Sequence, residues 1–264
     1  MAGESSGTVA ELDLPTAVLE HLIESWGIEE LYPPQAASMP IAMAGQSLLL
    51  TAPTASGKSL VAYLAILRRL LIDQQGSKAV YIVPLKALAS EKVNELSELG
   101  EATGLVVGIA VGDRSGENVK LDDADILVCT SEKFDSLLRN RERFLEKVSI
   151  VIADEVHLVH DASRGPTLEV NLARVMHERP DAQLVALSAT VGNAEDIADW
   201  LGAELISSDW RPVPLRYATE TDLEVEVRME VRPDGKEPAL PKPRTLDGPK
   251  SAPVWAVLKD TLED

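Results

Sequence analysis

A single cysteine, Cys129, stands among 264 residues, so the chain can form no internal disulfide. Only four histidines accompany it, none at ligand spacing, and no structural zinc site is expected. Long apolar runs are also missing. The longest, such as Val61–Leu67 and Leu105–Val111, are too short to cross a bilayer. No basic-then-apolar segment opens the sequence, so no secretory signal is expected. These absences point to a reducing cytosol and no membrane partner. Basic residues are scarce as well: 25 Lys and Arg face 43 Asp and Glu, a net charge of −18. Affinity for nucleic acid comes from neutralised phosphates, so this balance alone argues against a free-standing nucleic-acid binder. An acidic, solubilising surface explains it equally well.

What is present is ordinary globular material, 45% hydrophobic and 26% charged with a mean hydropathy of zero. That length can bury one large α/β core or two small ones. Residues 1–11 are small and polar at their start and are expected to be disordered. Val18, Leu19, Leu22, Ile23 and Trp26 then recur at helical spacing after Pro15, and a second helix starts at Pro33-Pro34-Gln35 and stops at Gly45. Short β-branched runs follow at Ser47–Thr51, Ala79–Val83, Leu105–Val111, Ile126–Cys129, Ser149–Ala153, Leu184–Leu187 and Leu205–Ile206. Helical patterns separate them, over Leu60–Leu71 and residues 86–99, 131–145, 166–179 and 194–201. This alternation predicts an α/β fold, an open, mainly parallel sheet with helices on both faces. Beyond Leu215 the texture changes. Leu223, Val225, Val227 and Met229 alternate with charged residues as in a half-exposed strand, and 233–252 holds five prolines and two glycines, a linker composition. Residues 253–264 look like the start of a helix with nothing after it to pack against, the expected opening of a missing second domain.

The strongest motif is Ala52-Pro-Thr-Ala-Ser-Gly57-Lys58-Ser59, between an apolar strand and a helix. A phosphate site needs backbone N–H groups turned inward, a small residue at the turn and a helix N-terminus aimed at the anion. Lys58 suits the outer phosphates and the Ser59 hydroxyl suits Mg²⁺. The second is Ile150-Val-Ile-Ala-Asp154-Glu155-Val-His157, which delivers two carboxylates at a strand's carboxyl end. One can hold Mg²⁺ and the next can orient and deprotonate a water. Alone, acids there would equally suit a helix N-terminus. The third, Ser188-Ala189-Thr190, is by itself also a common capping turn. Asp122, Asp123 and Asp125 read as a solvated turn.

Taken in order, PPQ (33–35), APTASGKS (52–59), PLKALASEK (84–92), Gly112-Asp113, TSEK (130–133), DEVH (154–157), RGPTLE (164–169), SAT (188–190) and WRPVPL (210–215) resemble the first motor domain of superfamily 2 helicases. Within that superfamily the chain is similar to the superkiller-like DEVH-box branch and its archaeal fork-acting DNA helicases. The resemblance implies a RecA-like domain over 12–217, a strand and linker over 218–252, and an entry into an absent second RecA-like domain over 253–264. It implies ATP and Mg²⁺ as ligands, and single-stranded or forked DNA as partner of a monomer. Gln35 would read adenine, and Thr54, Ala55, Ser56, Gly57, Lys58 and Ser59 would hold the phosphates. Ser59 and Asp154 would take the metal, with Lys58, Asp154 and Glu155 catalytic and Ser188 and Thr190 coupling hydrolysis to movement. Pro84, Lys86, Thr130, Ser131 and Lys133 would face nucleic acid, although a lone lysine equally suits a solvated helix. The run Lys133–Lys147, five basic against three acidic residues, would supply local positive charge.

Three departures stand out. Ser59 stands in place of the commoner Thr and keeps the hydroxyl, Tyr63 stands where relatives often carry Glu, and nothing in the sequence resembles the arginine-bearing motif of a second domain. Without that arginine the chain alone is expected to hydrolyse ATP barely. A non-catalytic nucleotide or nucleic-acid module, an RNA helicase domain and a P-loop enzyme outside the helicases are the rival readings.

Overall fold

Strands form where β-branched and leucine runs bury both faces, and parallel strands covered by helices on both sides are almost wholly apolar for that reason. In the computed structural model, which describes residues 7–112, 114–115, 121–140, 142–213, 215–221, 224–231, 242 and 244–245, every residue of the strands near the sheet's centre is buried. The strands are β1 (Leu48–Thr51), β2 (Lys78–Val83), β3 (Val107–Val111), β4 (Arg114–Ser115), β5 (Ile126–Thr130), β6 (Val148–Ala153), β7 (Gln183–Ser188) and β8 (Glu204–Ser207). They pair in the order β4-β3-β5-β2-β6-β7-β1-β8, all parallel except the short β4 at the edge. The expected open, mainly parallel α/β sheet is thus observed.

Successive side chains of a strand point to opposite faces, and the core divides accordingly. Leu48, Leu50, Tyr81, Val128, Ile152 and Val185 lie on one face against α1 (Thr16–Glu20), α2 (Pro33–Met43), α3 (Lys58–Arg68) and α4 (Lys86–Thr103). Leu49, Val80, Leu127, Val151 and Ala186 lie on the other against α5 (Ser131–Asn140), α6 (Arg143–Glu146), α7 (Gly165–Glu178) and α8 (Ala194–Leu201). Cys129 belongs to this second layer, and burial pushes its thiol well above the usual range. No helix among the described residues is long and apolar enough to cross a membrane.

Three expectations need correcting. Order begins earlier than residue 12: Thr8 bridges Glu30, the Val9 N–H bonds the Glu29 carbonyl at 2.9 Å, and Val9 is fully buried. A single apolar anchor is enough to tie this segment down; residues 1–6 lie outside the described residues. The helical pattern over 131–145 divides into α5 and α6, because Glu142 is extended with ψ 134°. The first compact unit ends at Asp209, ahead of the expected boundary at 217, since β9 (Leu215–Thr221) pairs antiparallel with β10 (Glu224–Val231). In that second unit β10 also pairs with β11 (Arg244–Thr245), inside the expected linker, and the expected helix at 253–264 lies outside the described residues.

Candidate nucleotide site and adjoining basic groove

The phosphate loop leaves the carboxyl end of β1 and is stitched to its neighbour, with the Ala52 N–H donating to the Ser188 carbonyl at 3.2 Å. Its interior is closed by the Ser56 hydroxyl, which donates to the Pro53 carbonyl at 2.7 Å. The Lys58 ammonium donates to the carbonyls of Ala52 and Pro53 at 2.8 and 3.0 Å, which fixes its head over the start of the loop. Ala55 and Gly57 are both left-handed, with φ 64° and 75°. For Ala55 this conformation carries backbone strain of about 1 kcal/mol. Such turns direct successive N–H groups inward, and α3 begins immediately afterwards at Lys58, so the loop forms an anion cradle. Thr54 and Ala55 are exposed at its rim.

Gln35 sits behind this loop. Its Nε2 donates to the Gly57 carbonyl at 2.8 Å, and its Oε1 accepts from the Tyr32 N–H at 2.8 Å. The amide therefore braces the cradle from α2. A Cβ on Gly57 would stand 2.3 Å from Gln35 Nε2, so the close approach as well as the φ requires glycine there.

The acidic pair leaves β6, two strands along the edge from β1. Asp154 is buried; its Oδ1 accepts from the Glu155 N–H at 2.9 Å and its Oδ2 from the Tyr81 hydroxyl at 3.0 Å. Burial, followed by the neighbouring Glu155 charge, holds its carboxyl above the usual range. Glu155 is left-handed at φ 54°, and this turns the chain into the 3₁₀ turn Val156–His160. His157 Nδ1 lies 3.3 Å from Glu155 Oε2 and 3.4 Å from the Ala189 N–H. One ring nitrogen can serve only one of these, donating to the acid or accepting from the SAT segment, so it links the two segments. The buried Ser188 hydroxyl is satisfied by the Ala189 carbonyl at 2.8 Å, and Thr190 is exposed.

Tyr81 and Tyr63 are the parts that sequence reasoning missed. Tyr81 is completely buried in β2 and reaches Asp154 across the sheet edge. Tyr63, unexplained in the sequence, donates its hydroxyl to Glu95 of α4 and packs its ring 6.0 Å from that of Tyr81. Lys92, buried beside it, donates to Glu95 at 3.2 Å and lies 5.9 Å over the Tyr63 ring. Burial first, and then the Glu95 contact for Tyr63 and the Asp154 charge for Tyr81, push both phenols far up. Ser59 and Tyr63 line one cavity, the Tyr63 ring packs on Tyr81 and Tyr81 bonds Asp154, so these four side chains form one cluster that joins the phosphate loop to the acids. Beside it opens a cavity of about 750 Å³, lined by Trp26, Tyr32, Gln35, Gly57, Ser59 and Tyr63 among others.

A second depression, of about 580 Å³, lies along the same edge, where β2, β3 and β5 end. Pro84, Lys86, Thr130 and Lys133 line it, together with Gly112 and Arg164. Ser131 does not line it: it is buried, and its carbonyl accepts from Asn171 Nδ2 at 2.7 Å. The expected positive run over Lys133–Lys147 is not the source of the groove's charge either. Among the described residues of that run Lys133 is the one cation that lines the groove, and Arg139 is paired with Asp135 at 2.6 Å. Asp113 of the expected Gly-Asp motif lies outside the described residues.

Residues 32–197, more than half of the chain, match the DEAD/DEAH box helicase family. The chain belongs to the DEAD/DEAH box helicase family. This DEAD/DEAH box chain is 42% identical over 261 residues to an ATP-dependent DNA helicase Hel308 of Methanocella arvoryzae, a match covering 97% of the chain and 33% of that relative. It is 47% identical over 209 residues to Hel308 of Pyrococcus abyssi, covering 79% and 28%, and 49% identical over 199 residues to Hel308 of Thermococcus kodakarensis, covering 75% and 17%. The chain thus spans a third or less of the length of these curated relatives. Crystal structures of the DUF1998 helicase MrfA share its fold: the DNA-bound form gives a TM-score of 0.64 at 21% identity, over 78% of this chain and 31% of that one. The form bound to DNA and AMPPNP gives 0.67 at 22% identity, over 79% and 30%.

Proposed function

We propose that this chain is the ATP-binding motor domain of an ATP-dependent DNA helicase. The observation that carries the reading is the convergence of the phosphate loop on β1, the SAT segment on β7 and the acids on β6 along one sheet edge, linked from Ser59 through Tyr63 and Tyr81 to Asp154. The strand order brings together side chains that lie far apart in the sequence, in the crevice outside the strand ends where open α/β sheets hold ligands.

ATP is the substrate. Its phosphates lie in the cradle of Ala55–Ser59 with the Lys58 ammonium on the outer ones, and its base enters the cavity between Trp26, Tyr32 and Gln35. The donors fit magnesium: a hydroxyl at Ser59 and a buried carboxylate at Asp154 are hard oxygen ligands. When bound, the ion supplies charge neutralisation for the leaving phosphate. Glu155 orients the attacking water and accepts its proton. His157 passes the state of Glu155 to Ala189 by exchanging its partner. A strand of DNA lies in the basic groove, so that both sites share one sheet edge. The positive charge that stabilises the transition state comes from a second RecA-like domain, and the chain alone turns over slowly.

The test is ATP hydrolysis by the protein with and without single-stranded DNA, repeated with Lys58→Ala. Stimulation by DNA that vanishes in the variant is the expected result. A rate that Lys58→Ala leaves untouched overturns the assignment of the loop, and equal stimulation by RNA and DNA overturns the choice of DNA.

A further inference from the structure

The groove holds a cation to which no role has been given. Arg164 opens the RGPTLE segment and stands with Lys86 and Lys133 around the same depression, three cations with Glu132 as the one carboxylate among the described lining residues. They come from separate stretches: Lys86 from the start of α4, Lys133 from the first turn of α5 and Arg164 from the turn before α7. Among the described residues none of the three heads makes a hydrogen bond or ion pair, whereas Arg68, Arg139 and Arg174 are all paired with carboxylates. Three cations from separate segments gathered at one depression, in a chain of net charge −18, form a site for an anion, and several of them together suit a polyanion.

The backbone keeps Arg164 in place. Asp161 Oδ1 accepts from the Ser163 N–H at 2.9 Å, the Ser163 hydroxyl at 2.6 Å and the Arg164 N–H at 2.9 Å, and the Gly165 N–H donates to the Asp161 carbonyl at 2.8 Å. A Cβ on Gly165 would stand 2.1 Å from the Val159 carbonyl oxygen, so the turn is pressed against the 3₁₀ turn that follows Glu155. From Asp154 to Arg164 the chain is one braced piece. The opposite wall is tied to it, because the fully buried Asn171 of α7 donates to the Ser131 carbonyl at the start of α5, the helix that presents Lys133. On the far side, a Cβ at Gly112 would lie 2.8 Å from the Lys86 ammonium, so glycine leaves room for that head.

We infer that Arg164 is a third phosphate-binding cation of the groove, and that its turn connects the acidic pair mechanically to the bound strand. This rests on the nucleic-acid reading of the groove given above. A guanidinium presents a planar fork of donors that fits phosphate oxygens better than an ammonium does. A push on the strand through this fork reaches Glu155 through the hydrogen-bonded turn.

The test uses the full chain and a fluorescein-labelled oligothymidylate, with anisotropy read across ~50 to ~200 mM salt. Arg164→Gln is expected to weaken binding about tenfold and to reduce the slope of log affinity against log salt by about 0.7, the share of one single-strand phosphate. Arg164→Lys is expected to restore the slope. An unchanged melting midpoint shows that the Gln form is folded; should it fall, Arg164→Met, which keeps the stem, replaces it. If Arg164→Gln changes nothing while Lys133→Ala weakens binding, the role of Arg164 is overturned and the reading of the groove stands. If neither matters, the groove reading itself is overturned. Asp161→Ala keeps the Arg164 cation but releases the turn: affinity within about twofold, with DNA stimulation of ATP hydrolysis cut at least about fivefold, supports the mechanical link. Undiminished stimulation overturns it.

Discussion

Tyr81→Phe removes one oxygen from the centre of the molecule and tests how Asp154, the acid proposed to hold magnesium, is held. Tyr81 is completely buried, and its hydroxyl is one of two donors to Asp154 among the described residues, the other being the Glu155 N–H. A hydrogen bond to a charged group is worth about 1.5–3 kcal/mol, and a buried acceptor left without its donor loses most of that. The ring remains, so no cavity larger than the hydroxyl is created, and the loss belongs to the hydrogen bond. At pH 7 a loss of about 2 kcal/mol moves the urea midpoint down by about 1 M for a slope near 2 kcal/mol/M. Asp154 already titrates above its ordinary value through burial, and the Tyr81 bond opposes that rise. Its removal raises the folded value further, so the variant's deficit is largest when the acid is ionised and shrinks as pH falls through that value. Magnesium affinity, measured by competition at fixed nucleotide, falls tenfold or more, as losses of a partner behind a metal ligand generally do, by about 10–100-fold. A variant within about 0.5 kcal/mol of the parent at pH 7, with unchanged magnesium affinity, would refute the reasoning, since neither a structural nor a positioning bond could then exist.

Gly57→Ala should cost about 1 kcal/mol for the left-handed backbone and, in addition, force Gln35 off the loop, because the new Cβ would meet its Nε2 at 2.3 Å. Calorimetric titration with ATP should show binding reduced at least tenfold, and unchanged binding would mean that Gln35 does not brace the cradle. Leu64→Ala, in the fully buried face of α3, should lower unfolding stability by about 2–5 kcal/mol, read from urea unfolding; a loss under about 1 kcal/mol would contradict its burial. Asp161 is held down to about 2 by the Ser163 hydroxyl and the N–H groups of Arg164 and Ser163, against 3.8 ordinarily. Its contribution is therefore present above the ordinary value and is lost as pH falls towards 2. Asp161→Ala should be less stable than the parent at pH 6, with the difference closing between about pH 4 and 2; a difference that widens on acidification would reverse the sign.

Periodicity and spacing alone determined much of this protein. Continuous β-branched runs separated by helical patterns can be buried only as a parallel sheet between helix layers, so strand identity, fold class and the loops carrying Lys58, Asp154 and Ser188 followed from local pattern. The lining of the groove by Pro84, Lys86, Thr130 and Lys133 followed from the resemblance of their segments. Tertiary structure decided the rest, because pairing between distant segments leaves no local mark. Tyr81 reads as one more aromatic in a strand until strand order sets β2 beside β6 and brings its hydroxyl to Asp154. Tyr63 finds Glu95 only when α4 packs beside its helix. The basic groove likewise draws one cation from each of three segments, so a net charge of −18, which sums over the chain and ignores direction, gave no sign of it.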